Sequence, residues 1–155
     1  MLFGDVVDGS MQINEVGDIV HDEWLRSADM RPRLEIDTFV IMPNHIHGIV
    51  TIPDRDVGAT CGRPLSDEPS SPTRATAGRP YGPASESIGA FIAGFKSAAT
   101  RRINALRGSP GAPVWQRNYY EHIIRDEDEF ERIRWYINDN PRRWAEDEYN
   151  PDRSN

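Results

Sequence analysis

Cysteine is almost absent: Cys61 is the single one among 155 residues. That excludes an intrachain disulfide and a zinc site built on cysteine thiolates. Long apolar runs are missing as well. None approaches the ~18 residues of a membrane span, and mean hydropathy is −0.65. The beginning of the chain lacks the basic-then-apolar layout of a secretory signal. The expectation is a cytoplasmic protein with no membrane partner. Positive charge is also short overall, because 18 Lys/Arg against 25 Asp/Glu leave a net −7. Taken alone, that argues against a nucleic-acid partner, but the deficit is uneven. Residues 61–125 hold nine Lys/Arg and four Asp/Glu, a local +5, and the remainder carries −12. A basic middle between acidic ends suits a polyanion better than the total suggests. The length fits one domain with a real core.

What is present reads in order as short strands and amphipathic helices. Residues 2–13 form a small hairpin turned at Asp8-Gly9. Asn14 caps a helix to about Met30, with Val16, Val20 and Trp24 on one stripe, and Arg31-Pro32 stops it. Two apolar, β-branched runs follow at 36–42 and 46–52 and pair as antiparallel strands. Residues 53–86 are rich in Pro, Gly, Ser and Arg, with Gly-Arg-Pro at 62–64 and again at 78–80, and read as a flexible loop inserted in the domain. Ser87 caps a helix over 88–107, with Phe91, Phe95, Ala99 and Ile103 inward and Lys96, Arg101, Arg102 and Arg107 on other faces. Trp115 to Ile124 is aromatic and β-branched, a further strand. The last helix starts at Asp126, with Glu129 in capping-box relation, and Asn140-Pro141 ends it. The domain is drawn at 1–144, followed by a polar, acidic tail over 145–155. Together these elements predict an α+β fold, an antiparallel sheet with helices packed on one face.

The chain is organised around Met42-Pro43-Asn44-His45-Ile46-His47. On a strand, residues two apart point to the same face with Cα atoms ~6.5–7 Å apart. His45 and His47 therefore stand side by side, and Ile46 points the other way, towards a core. Two imidazoles so placed can hold one divalent ion. In the last helix Tyr136 and Asn140 are four apart and share a face. Tyr136 borders the stripe of Ile133 and Ile137, so this edge faces the sheet. If it meets the histidine face, two imidazoles, an amide oxygen and a phenol converge: a divalent-cation site with a nucleophile beside it. Tyr119 and Tyr120 are rival nucleophiles that spacing does not exclude. His122 pairs with Glu121 or serves the structure, and stays outside the site.

These motifs resemble a known family. Met42-Pro43-Asn44-His45-Ile46-His47 resembles the His-hydrophobic-His signature of single-tyrosine transposases. Phe95-Lys96-Ser97 with Thr100-Arg101-Arg102-Ile103-Asn104, and Trp115 through Arg125, resemble segments of the REP-associated tyrosine transposases. Tyr136-Ile137-Asn138-Asp139-Asn140-Pro141 is similar to their catalytic-helix motif. The resemblance implies a ferredoxin-like sheet, here without the family's first strand, which would precede Leu2-Phe3-Gly4. It implies Tyr136 as nucleophile, His45, His47 and Asn140 as ligands of Mg²⁺ or Mn²⁺, and a 5′-phosphotyrosine intermediate. Single-stranded or hairpin DNA would be the substrate, with Lys96, Arg101, Arg102 and Arg117 on its phosphates and a homodimer as an allowed assembly. The rival expectations are a DNA-binding remnant without turnover, and an interaction protein whose His pair is incidental.

Overall fold

The structure, a computed structural model, describes residues 1–53 and 87–153. The elements run β1 (Gly4–Val7), β2 (Ser10–Ile13), α1 (Glu15–Asp29), β3 (Glu35–Ile41), β4 (Ile46–Thr51), α2 (Ile88–Arg107) and α3 (Glu127–Asp139), and a 3₁₀ segment covers Asn140–Glu146. The class is α+β. Apart from Pro53, the loop expected over 53–86 lies outside the described residues.

Helix ends follow local hydrogen bonding. The Asn14 side chain accepts from the backbone N–H groups of Val16 and Gly17, Ser87 accepts from Ala90, and Asp126 from Glu129. Each satisfies donors that the first helical turn leaves without partners. Gly108 closes α2 at φ 63°, a left-handed cap. The hairpin turns at Asp8 and Gly9, both at positive φ, the geometry that matches strand twist.

Three expectations are corrected. Among the described residues the strands form two sheets rather than one: β1 pairs with β2 and β3 with β4, both antiparallel. Their link is a hydrogen bond from the Phe3 N–H to the Pro43 carbonyl at 3.0 Å.

Nor do the helices share one face. Trp24 of α1 rests its ring on Phe39, 5.9 Å between centroids, whereas the adjacent Thr38 donates to Asn138 of α3 at 3.0 Å. Neighbouring residues on a strand point to opposite faces, so α1 and α2 cover one face and α3 the other. The register slips between Ile36 and Thr38. This bulge re-aims Asp37, whose carboxylate meets the Arg134 guanidinium of α3 at 3.2 Å.

The run from Trp115 to Ile124 is not a strand. Asn118 sits at φ 69° and turns the chain mid-run. The Lys96 ammonium takes the Gln116 and Asn118 carbonyls, which a neighbouring strand would have needed.

The core joins Phe3, Val16, Val20, Trp24, Phe91, Phe95, Ala99 and Ile103 with Ile41 of β3. Trp24 meets Phe91 and Phe95 edge-on at 4.9 and 5.0 Å. Gly48 is needed here, because a Cβ would lie 2.9 Å from the Trp24 ring. No helix among the described residues is long and apolar enough to cross a membrane.

Candidate functional site

His45 leads into β4 and His47 lies within it, on the α3 side of the sheet. Their rings stand at 86° to one another with 3.0 Å between the two Nε2 atoms. The proton positions follow from the neighbours. The Asn44 amide donates through Nδ2 to the Tyr149 carbonyl at 2.7 Å, which turns its Oδ1 onto His45 Nδ1, also at 2.7 Å. An amide oxygen only accepts, so Nδ1 of His45 carries the proton and Nε2 keeps its lone pair. An imidazole held this way is oriented as a metal ligand.

Burial, with His47 as the second cause, lowers the His45 pKa from 6.5 to about 4, and Asp147 opposes it. Burial also lowers that of His47, again against Asp147. In both rings burial favours the neutral form, the one that can bind a metal ion.

α3 reaches this pair through Tyr136. Tyr136, 42% exposed, sets its ring edge-on to His47 with centroids 5.7 Å apart. One turn on, Asn140 is buried, at 2%, and its Oδ1 has no hydrogen-bond partner. Such an oxygen is costly to leave unsatisfied, ~1–3 kcal/mol; as a ligand it would be used. Asn140 is in helical conformation, φ −55° and ψ −41°, although a proline follows. The chain therefore keeps turning as a 3₁₀ segment, which brings the buried Trp144 to 6.1 Å from the His45 ring.

The tail supplies residues that the sequence reading left out. Asp147 forms a three-donor group with His45 and His47, all ligand atoms within 4.8 Å of one another. Tyr149 sets its ring against His45, tilted by 54° with centroids 5.1 Å apart. The available signals were the aromatics Trp144 and Tyr149 in an otherwise acidic stretch, and an amide immediately before a histidine.

The remaining expected residues lie elsewhere. Arg102 donates to the buried Glu23 at 2.8 Å and to Asp22 at 3.3 Å, tying α2 to α1. These bonds raise its pKa, the Glu23 hydrogen bond most. Lys96 clamps the 116–118 backbone and lies 5.9 Å from the Tyr119 ring centroid. Arg101 and Arg117 are exposed. Among the described ring contacts, Tyr136 meets His47, and neither Tyr119 nor Tyr120 meets either histidine. His122 pairs with Glu129, 3.0 Å, rather than Glu121.

A protein of Haemophilus influenzae, described as an uncharacterized protein, is 41% identical over 147 residues, 95% of this chain and 76% of that one. The chain belongs to its family. No model of a known protein family matches the chain. No solved structure matches it either.

Proposed function

We propose that the protein is a metal-dependent, single-tyrosine DNA-nicking and strand-transfer enzyme of the transposase type, acting on single-stranded or hairpin DNA. The observation that carries the reading is the approach of the Tyr136 ring to His47, with the unpartnered Asn140 oxygen one helical turn away. His45, His47 and Asn140 would hold the ion, and their chemistry fits: two neutral imidazoles and an amide oxygen suit Mn²⁺ or, less well, Mg²⁺. When bound, the ion polarises a phosphodiester oxygen and neutralises charge that develops on it.

The side chains do the rest. Tyr136 Oη attacks the phosphorus, the bond from phosphorus to the leaving 3′ oxygen breaks, and the phenolic proton passes by way of water to that oxygen, which departs as a 3′-hydroxyl. The phosphotyrosine ester conserves the diester energy, so a 3′-hydroxyl can reverse the step and rejoin DNA. A phenol with a pKa near ~10 is a weak nucleophile at neutral pH, which is why it stands beside a cation site.

A second reading, an interaction domain with an incidental His pair, draws support from Lys96 and Arg102, whose charges are engaged inside the fold. Cleavage of a labelled hairpin oligonucleotide with Mn²⁺, with and without EDTA, decides between them. The enzyme reading expects EDTA-sensitive nicking that His45→Ala and His47→Ala each abolish with little loss of stability. Nicking by the double variant at the wild-type rate would remove the metal from the mechanism.

A further inference from the structure

We propose that Asp147 is the anionic ligand of a first-row transition ion shared with His45 and His47. The proposal deepens the metal-binding part of the reading above and rests on that part alone, not on DNA chemistry.

Three observations carry it. The first is the spacing of the donors. Ligands ~2.1 Å from an ion lie ~3.0 Å apart when adjacent on an octahedron and ~4.2 Å apart when opposite. The two histidine Nε2 atoms are 3.0 Å apart, and the Asp147 oxygen completes a group spanning no more than 4.8 Å.

The second is orientation. The Tyr149 N–H donates to Asp147 Oδ1 at 2.7 Å, leaving the carboxylate's other lone pairs open. The Asp147 N–H is held in turn by the Trp144 carbonyl at 3.1 Å, and its carbonyl accepts from the Asn150 N–H at 3.1 Å. The same Tyr149 offers its carbonyl to Asn44, whose Oδ1 sets the His45 tautomer. One turn of the tail therefore aims both His45 and Asp147. Metal ligands are held by this kind of outer hydrogen bonding.

The third is charge. His45, His47 and Asn140 are neutral donors in a partly buried place, so a dication held by them alone would be uncompensated there. Asp147 supplies the one nearby negative charge that the described site contains. Two imidazoles and a carboxylate favour a transition ion such as Mn²⁺ over Mg²⁺, because imidazole binds the harder ion weakly.

The test is metal binding by the whole chain, free of DNA. Mn²⁺ is titrated into wild type, Asp147→Asn, Asp147→Ala and His47→Gln, with the free ion read by its electron-paramagnetic-resonance signal, and Mg²⁺ is tried as a competitor. Melting in EDTA checks each fold. If Asp147→Ala melts early, the near-isosteric Asp147→Asn, which keeps an oxygen for the Tyr149 N–H, carries the result. The expected result is one Mn²⁺ per wild-type chain, poor competition by Mg²⁺, and at least about tenfold weaker binding in Asp147→Asn, with binding lost in His47→Gln. Equal affinity of Asp147→Asn and wild type, with His47→Gln still defective, would overturn the role of Asp147 and leave the His pair intact. Absence of Mn²⁺ binding by the wild type would overturn this proposal together with the metal site beneath it.

Discussion

Acid should destabilise the metal-free protein through His45. Its pKa is lowered from 6.5 to about 4 by burial first and by His47 second. Between those two values the unfolded ring binds a proton that the folded ring refuses, so stability rises with pH. The contribution is complete above the unfolded value of 6.5 and is lost as pH falls towards the folded value near 4. At about 1.4 kcal/mol per pH unit the loss would reach ~3.4 kcal/mol. The ring is only partly buried, and solvent screening reduces this to ~1–2 kcal/mol. The assay is urea denaturation in EDTA, from pH 7.5 down to 4.5, of wild type and His45→Gln. Every other ionisable group is common to the two proteins, so the difference between the two curves isolates His45. The wild-type advantage should shrink by ~1–2 kcal/mol across the window. Curves that stay parallel would refute the premise that a neutral ring is what the fold buries.

Three further outcomes follow from the same structure. Tyr136→Phe should bind hairpin DNA normally and melt as wild type does, but form no covalent adduct on a denaturing gel. Loss of adduct in Tyr119→Phe or Tyr120→Phe instead would reassign the nucleophile. Arg102→Ala should lower the melting temperature, because it leaves the buried Glu23 carboxylate with only the longer 3.5 Å contact to Arg26. A loss of ~2–3 kcal/mol is expected, or ~5–10 °C in a domain of this size. Arg101→Ala and Arg117→Ala should instead leave melting unchanged and each lower the salt dependence of DNA binding by about one unit of slope. A selective DNA defect in Arg102→Ala without a melting shift would reverse that assignment.

Much of this molecule is written locally. The caps at Asn14, Ser87 and Asp126 are readable because each is a hydrogen bond within three residues, and the stripes of α1 and α2 because helical period and burial coincide. The placing of His45 with His47 follows from strand periodicity in the same way. Trp115 to Ile124 misled because its composition has the strand preference without a partner strand. Propensity describes a fit to a pleated neighbour, and here Lys96 and the turn at Asn118 occupy that place.

The sequence by itself determined the class of each helix and of the paired strands, and that His45 and His47 stand together, since both depend on neighbours a few residues away. Only the tertiary structure decided what covers each face of β3 and β4, and it did so through the bulge at Asp37 and the Thr38–Asn138 contact across 100 residues. It also decided that Asp147 and Tyr149, read as part of a polar tail, return to the histidines. No periodicity encodes that return. It depends on a 3₁₀ turn continuing past a proline and on one amide, Asn44, bonding to a carbonyl 105 residues later.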